Sequence, residues 1–151
     1  MDVFGWQSTK WGMTELEIID SIGNEYVFRK TREDFGKYYS ELTIPIVEIG
    51  PYDFAILFQM NKLNDRLSKV LIRHDGEPDE NQADAANSSR RILTEKYGVP
   101  QREGTTNAWI WRFPTTTIVM SHHVIADLFS FTAIAYMPTE DYTGPMKPPA
   151  F

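Results

Sequence analysis

Ser121-His122-His123, with Asp127 four residues further on and His74 earlier in the chain, is the densest group of residues able to do chemistry. Imidazole and carboxylate together make a zinc ligand set, and three or four such groups hold the ion. The spacing argues against it. On a strand His122 and His123 point to opposite faces, and on a helix His123 and Asp127 form only an ordinary neighbouring pair. The simpler expectation is two solvated loop histidines just after a strand, with no metal and no other cofactor. Ser121 beside His122 is no nucleophile and base, because that pairing works through space and the chain has no Gly-x-Ser-x-Gly elbow. Ser88-Ser89 lacks the Lys of a Ser-x-x-Lys motif, and no Gly-rich phosphate loop occurs. Glu33-Asp34, Glu77, Asp79 and Glu80 sit in turn-like stretches near Gly or Pro and read as solvated turn or capping acids, not as a hydrolytic pair. The expectation is therefore a protein that is not an enzyme.

The aromatic residues are the notable excess: 9 Phe, 7 Tyr and 4 Trp in 151 residues, enough to build a substantial core. Trp6 and Trp11 flank the polar stretch Gln7-Ser8-Thr9-Lys10, which reads as a surface loop. Exposed Trp and Tyr anchor protein interfaces, so Trp6, Trp11, Tyr38, Tyr39 and Trp109 are the candidate binding residues. Net charge is −6. That field repels phosphate backbones and suits a basic protein partner, so no nucleic acid is expected. Arg90-Arg91, Lys96 and Arg102 make a local basic patch, read as the cationic end of a helix. There is no Cys, which removes disulfides and thiolate sites and favours the cytoplasm. No apolar run approaches the ~20 residues of a membrane span.

These residues need elements to hold them. Thr14 as N-cap with Glu17 at N3 is a capping box, Met13 and Ile18 are placed as a hydrophobic staple, and Gly23 can close the helix. This predicts a helix over 14–22 with Leu16, Ile19 and Ile22 inward and Ile18 beside them. A second helix, 80–97, has Asp79 as cap, Ala86, Leu93 and Tyr97 inside, and Gly98 and Pro100 at its end. Alternation marks strands: Tyr52, Phe54, Ile56, Phe58 and Met60; Trp109, Trp111 and Phe113; Thr116, Ile118 and Met120; Phe129, Phe131, Ala133, Ala135 and Met137. Leu42–Ile49 and Arg66–His74 are strand-like too, with Pro45 pushing the former toward an edge. Residues 24–41 read as a short strand plus a loop, and 138–151, with four Pro, as an extended tail.

The expected fold is α+β: tandem helix-then-three-strand units, a mainly antiparallel sheet, and two helices packed on one face. The pseudo-repeat halves are about 11–75 and 79–137 within one domain, 1–137. Trp11-Gly12-Met13-Thr14, with Ile18 and Gly23, resembles the Gly-Met-Thr helix start of the domains shared by β-lactamase inhibitory proteins and small outer-membrane assembly lipoproteins. Tyr97-Gly98-Val99-Pro100 resembles the Gly-x-Pro helix end of that group. The resemblance implies a helix followed by antiparallel strands, duplicated in the inhibitors, and a role in binding another protein with the sheet face and loops. The chain departs from it in having no disulfides and no lipidated Cys. Two other readings stay open: a small-ligand pocket between the sheet and a loop at 24–41, lined by Tyr26, Tyr38, Tyr39 and the histidines, and a self-assembling subunit docking its tail through Phe151.

Overall fold

The computed structural model describes residues 1–76, 82–102, 108–125 and 129–142. Its order is α1 (Glu15–Ile22), β1 (Phe28–Phe35), β2 (Tyr38–Ile49), β3 (Tyr52–Asn61), β4 (Leu67–Gly76), α2 (Gln82–Tyr97), β5 (Gln101–Arg102), β6 (Ala108–Arg112), β7 (Thr116–Ile125) and β8 (Phe129–Pro138). The strands form one eight-stranded sheet in the order β1-β2-β3-β4-β8-β7-β6-β5, and every pair is antiparallel. Each half is thus a helix followed by a four-strand meander, and the two meanders join at their last strands, β4 against β8.

The count of three strands per half is corrected to four. β1 occupies the region read as strand plus loop: five of its eight residues are charged, which hides a strand from a hydrophobicity pattern. β5 has only two residues, too short to show alternation. The 138–151 tail is corrected at its start, where β8 runs to Pro138 and a 3₁₀ turn covers Thr139–Asp141. Residues 143–151 lie outside the described residues, as do Asp79 and Asp127. Pro45 is accommodated because β1 pairing ends at Phe28↔Thr43 and a register shift separates Ile44 from Val47. Past Thr43, β2 has no β1 partner, so a missing N–H costs nothing there.

α1 follows its sequence signals. Thr14 Oγ1 accepts from Glu17 N, Glu17 Oε1 accepts from Thr14 N, and Gly23 N donates to Ile19 O. Ile19 and Ile22 pack against the core as expected, but Ile18 is fully buried while Leu16 is 74% exposed. Two residues are about 200° apart on a helix, so burying Ile18 turns Leu16 out. On α2, Ala85, Ala86, Ser89 and Leu93 are buried.

One face of the sheet is the core. The row Leu42, Phe58, Val70, Tyr136, Ile118, Trp111 crosses from β2 to β6, and the row Ile44, Ile56, Ile72, Ile134, Met120, Trp109 runs beside it. Ile18 of α1, Leu93 of α2 and Trp6 belong to the same cluster. The N-terminal segment ties the halves together. Asp2 accepts from Thr115 N and Oγ1, Trp11 Nε1 donates to Thr116 Oγ1 at 2.9 Å, and Gly12 and Met13 bond Leu67 on β4. No helix among the described residues is long and apolar enough to cross a membrane.

Candidate functional site

Side chains alternate across a strand, so residues between the core positions build the second face. The pairing register places Thr43, Leu57, Leu71, Ala135, Val119 and Ile110 in one line from β2 to β6. A parallel line holds Ala55, Arg73, Ala133 and Ser121. On the other flank Gln59 pairs with Lys69, and Met137, Thr117 and Arg112 continue across the second half. The result is a mainly apolar floor of short side chains with cations along its flanks.

The floor is curved. Glu33 on β1 and Arg73 on β4 both project on this side, and their charged atoms lie 3.2 Å apart although β2 and β3 run between them. Three strand spacings are about 14 Å in a flat sheet, further than upright side chains close. The burial of Leu57 and Gln59 on that side, 2% and 3% exposed, together with this reach across two strands, fits a first half that curls toward this face and makes it concave there. Burial raises the Glu33 pKa, but the hydrogen bonds from Lys30 and Arg73 outweigh it and leave the carboxyl below its ordinary value.

At one end of the floor the Tyr38 ring meets two ammonium groups, Lys37 Nζ at 5.5 Å and Lys69 Nζ at 5.6 Å from its centroid. Burial and the nearby Lys37 lower the Lys69 pKa, with Asp141 opposing. Beside Lys69, Gln59 Oε1 is buried with no hydrogen-bond partner among the described residues. At the other end, past Ile110, a cavity of about 280 Å³ opens at the sheet edge between Tyr97, Val99 and Gln101 on one side and Ile110, Trp111 and Arg112 on the other.

The sequence-predicted residues part company. Tyr38 alone of the five lies on the concave floor. Trp6 is 8% exposed and packs edge-on against Phe58 at 6.0 Å, so it is a core residue and not an exposed anchor. Trp11 is spent on its bond to Thr116. Tyr39, 6% exposed, donates to Asp65 at 2.6 Å beneath the Arg32 guanidinium; burial, then Asp65, raise its pKa. Trp109 is half-buried between Arg90 and Arg102, 4.5 and 5.4 Å from its ring centroid. Tyr26 is exposed, Tyr38 is on the floor and Tyr39 in the core, so they line no common pocket at 24–41.

The histidines lie in β7 itself rather than a loop. His122 falls on the core side opposite Thr132, and its Nδ1 is 3.3 Å from that hydroxyl. His123 falls on the concave side and stacks on Phe131 at 4.7 Å. His74 pairs with Thr132 from β4, with Nδ1 2.9 Å from Asp53 O; a carbonyl only accepts, so Nδ1 carries the proton. Among the described residues no group of three or more His, Cys, Asp and Glu is placed to hold a metal. Sequence reading missed Lys69, Leu71 and Arg112. The alternation of Asp53, Ala55, Leu57 and Gln59 was the available signal, because it marks a second face that is neither core nor fully polar.

No family model, no curated protein and no solved structure matches the chain.

Proposed function

We propose that this chain is a non-catalytic protein-interaction module that binds another protein across the concave face, in the manner of an inhibitor or immunity protein. The observation that carries the reading is the partly exposed apolar run Leu71–Ala135–Val119 on the face opposite the main core cluster, with Leu57 and Ile110 buried at its two ends. The six strands of that line by three rows measure roughly 24 by 20 Å, a little over half of the ~800 Å² that one partner contributes to a standard interface. Both helices cover the opposite face in this reading, supported by Ile18 and Leu93 sharing one core cluster. The duplicated helix-then-strands order supports the resemblance to β-lactamase inhibitory protein-like domains, whose role is of the same kind.

The test is affinity capture from lysate of the source organism with the wild-type chain and with Leu71→Asp, both checked for folding by circular dichroism. A stoichiometric protein captured by the wild type and lost with Leu71→Asp is the expected result. Equal capture by both removes the concave face from the role.

A second reading rests on the cavity beside β5. Its 280 Å³ is near the lower end of small-ligand sites, which begin at about 300 Å³. A ligand held there raises the thermal midpoint in a concentration-dependent way, and Ile110→Trp, which fills the cavity, abolishes that rise. A midpoint that stays flat across a metabolite screen removes this reading.

A further inference from the structure

We propose that the partner presents a carboxylate, an Asp or Glu side chain on an apolar loop, to the corner of the concave face formed by Lys69, Tyr38 and Lys37. The inference rests on the protein-docking reading above and names the chemistry of the docked segment. Two ammonium groups converge on one tyrosine ring here, at 5.5 and 5.6 Å. Neither has a carboxylate within ion-pair distance among the described residues, although Lys30, Arg32, Lys62 and Arg73 nearby all do, at 3.1–3.6 Å. Asp141 is felt at Lys69 electrostatically but forms no ion pair with it. The corner is thus a local surplus of positive charge inside a protein of net charge −6.

Lys69 projects from near the start of β4, beside Gln59 and Tyr38, and its ammonium is partly stripped of water, as the lowering of its pKa by burial reflects. A desolvated cation gains most from an opposite charge, because charge pairs strengthen as water is excluded. The neighbouring Gln59 Oε1, buried and unpartnered, adds an acceptor toward which Lys69 can turn one of its three N–H groups while giving another to the incoming carboxylate. The apolar line through Leu57 and Leu71 lies one row away. That pairing of a carboxylate site with an apolar floor fits a polypeptide loop. It does not fit a nucleic-acid backbone, which presents closely spaced phosphates and no apolar side chain to the floor, or a flat membrane, which a concave surface cannot follow.

The experiment is an NMR titration of the full chain with an N-acetylated, C-amidated peptide, Leu-Asp-Leu-Phe-Asp-Leu, and with its Asn counterpart. The expected result is saturable movement of the Tyr38, Gln59, Lys69 and Leu71 amides with the Asp peptide, and binding weaker by about tenfold with the Asn peptide, the worth of a charge-assisted hydrogen bond. Lys37→Gln and Lys69→Gln, each verified as folded by the same spectra, reduce the Asp peptide to the Asn level. Equal binding of both peptides along Leu71, Ala135 and Val119 overturns the carboxylate proposal while the docking face stands. Shifts confined to the helices, or none, count against both. Inorganic phosphate moving the same amides as strongly as the Asp peptide marks a general anion site and also overturns the proposal.

Discussion

The two outer strands of the sheet occupy the same place in the two halves, each opening a four-strand meander, and they are built by opposite means. β1 has eight residues, five of them charged. Its Arg29, Lys30, Arg32, Glu33 and Asp34 are tied to Glu15, Glu41, Lys62, Arg73 and one another, and all seven ion pairs found among the described residues belong to the first half. β5 has two residues. Around it cations lie over rings: Arg90 and Arg102 at Trp109, Lys96 at Tyr97, Arg112 at Tyr142. An exposed edge invites a foreign strand, and charge or shortness are two ways to refuse it. The charged solution ties β1 to β4 through Glu33 and Arg73. The short one leaves a cavity beside Ile110. One repeated topology therefore gives a sheet face with a cationic end beside Lys69 and a cavity at its other end.

The joint between the halves is the most sensitive place to disturb that arrangement. Trp6→Ala removes a buried indole from the shared core and is expected to cost about 3–5 kcal/mol in urea denaturation. Trp109→Ala, at the half-buried second-half edge, costs less than half as much. Equal costs would mean that Trp6 is no joint. Gly5→Ala belongs to the same class, because a Cβ there collides with the Thr9 carbonyl. Trp11→Phe keeps the packing and loses the Nε1 donor to Thr116, an expected loss of about 1 kcal/mol. A midpoint unchanged from wild type would show that this bond adds nothing.

Smaller effects separate the edges by salt and pH. Glu33→Gln breaks the tie from β1 to β4. As a surface pair it is worth about 0–1 kcal/mol, and the difference from wild type should shrink as salt rises. Because the Glu33 pKa is held below its ordinary value, its contribution is present above that value and fades as pH falls through the lowered one. Hydrogen exchange at β1 should follow, with β5 unaffected. His122 works the other way round the neutral form: burial, then His123, lower its pKa. The unfolded chain then binds a proton more readily, so stability is complete above the ordinary histidine value and declines as pH falls toward the lowered one. His122→Gln should flatten that decline, and an unchanged slope would place its origin elsewhere.

What was legible from sequence follows a physical division. The α1 cap was readable because Thr14 and Glu17 bond each other's backbone within one turn. The core positions of β3 were readable because alternation repeats over ten residues. Trp6 was misplaced because polar residues follow it, yet Thr9 turns inward, 1% exposed, and bonds the Trp6 carbonyl at 2.6 Å. β1 was hidden by its charges and β5 by its length. The concave site was only half visible: Tyr38 stood out as an aromatic, while Lys69 looked like any surface lysine until Lys37 and Tyr38 were brought to it.

The sequence by itself determined where helices start and stop, which residues alternate, and that no thiol takes part. Those properties depend on dihedral preferences and hydrogen bonds within a few residues. Tertiary structure alone decided that β4 meets β8, that one face carries the main core cluster, and that Glu33 reaches Arg73 across two strands. Those outcomes depend on contacts between segments far apart in the chain, in places more than a hundred residues, as in the hydrogen bond from Trp11 to Thr116. No local pattern encodes which of two alternating faces will find a cover.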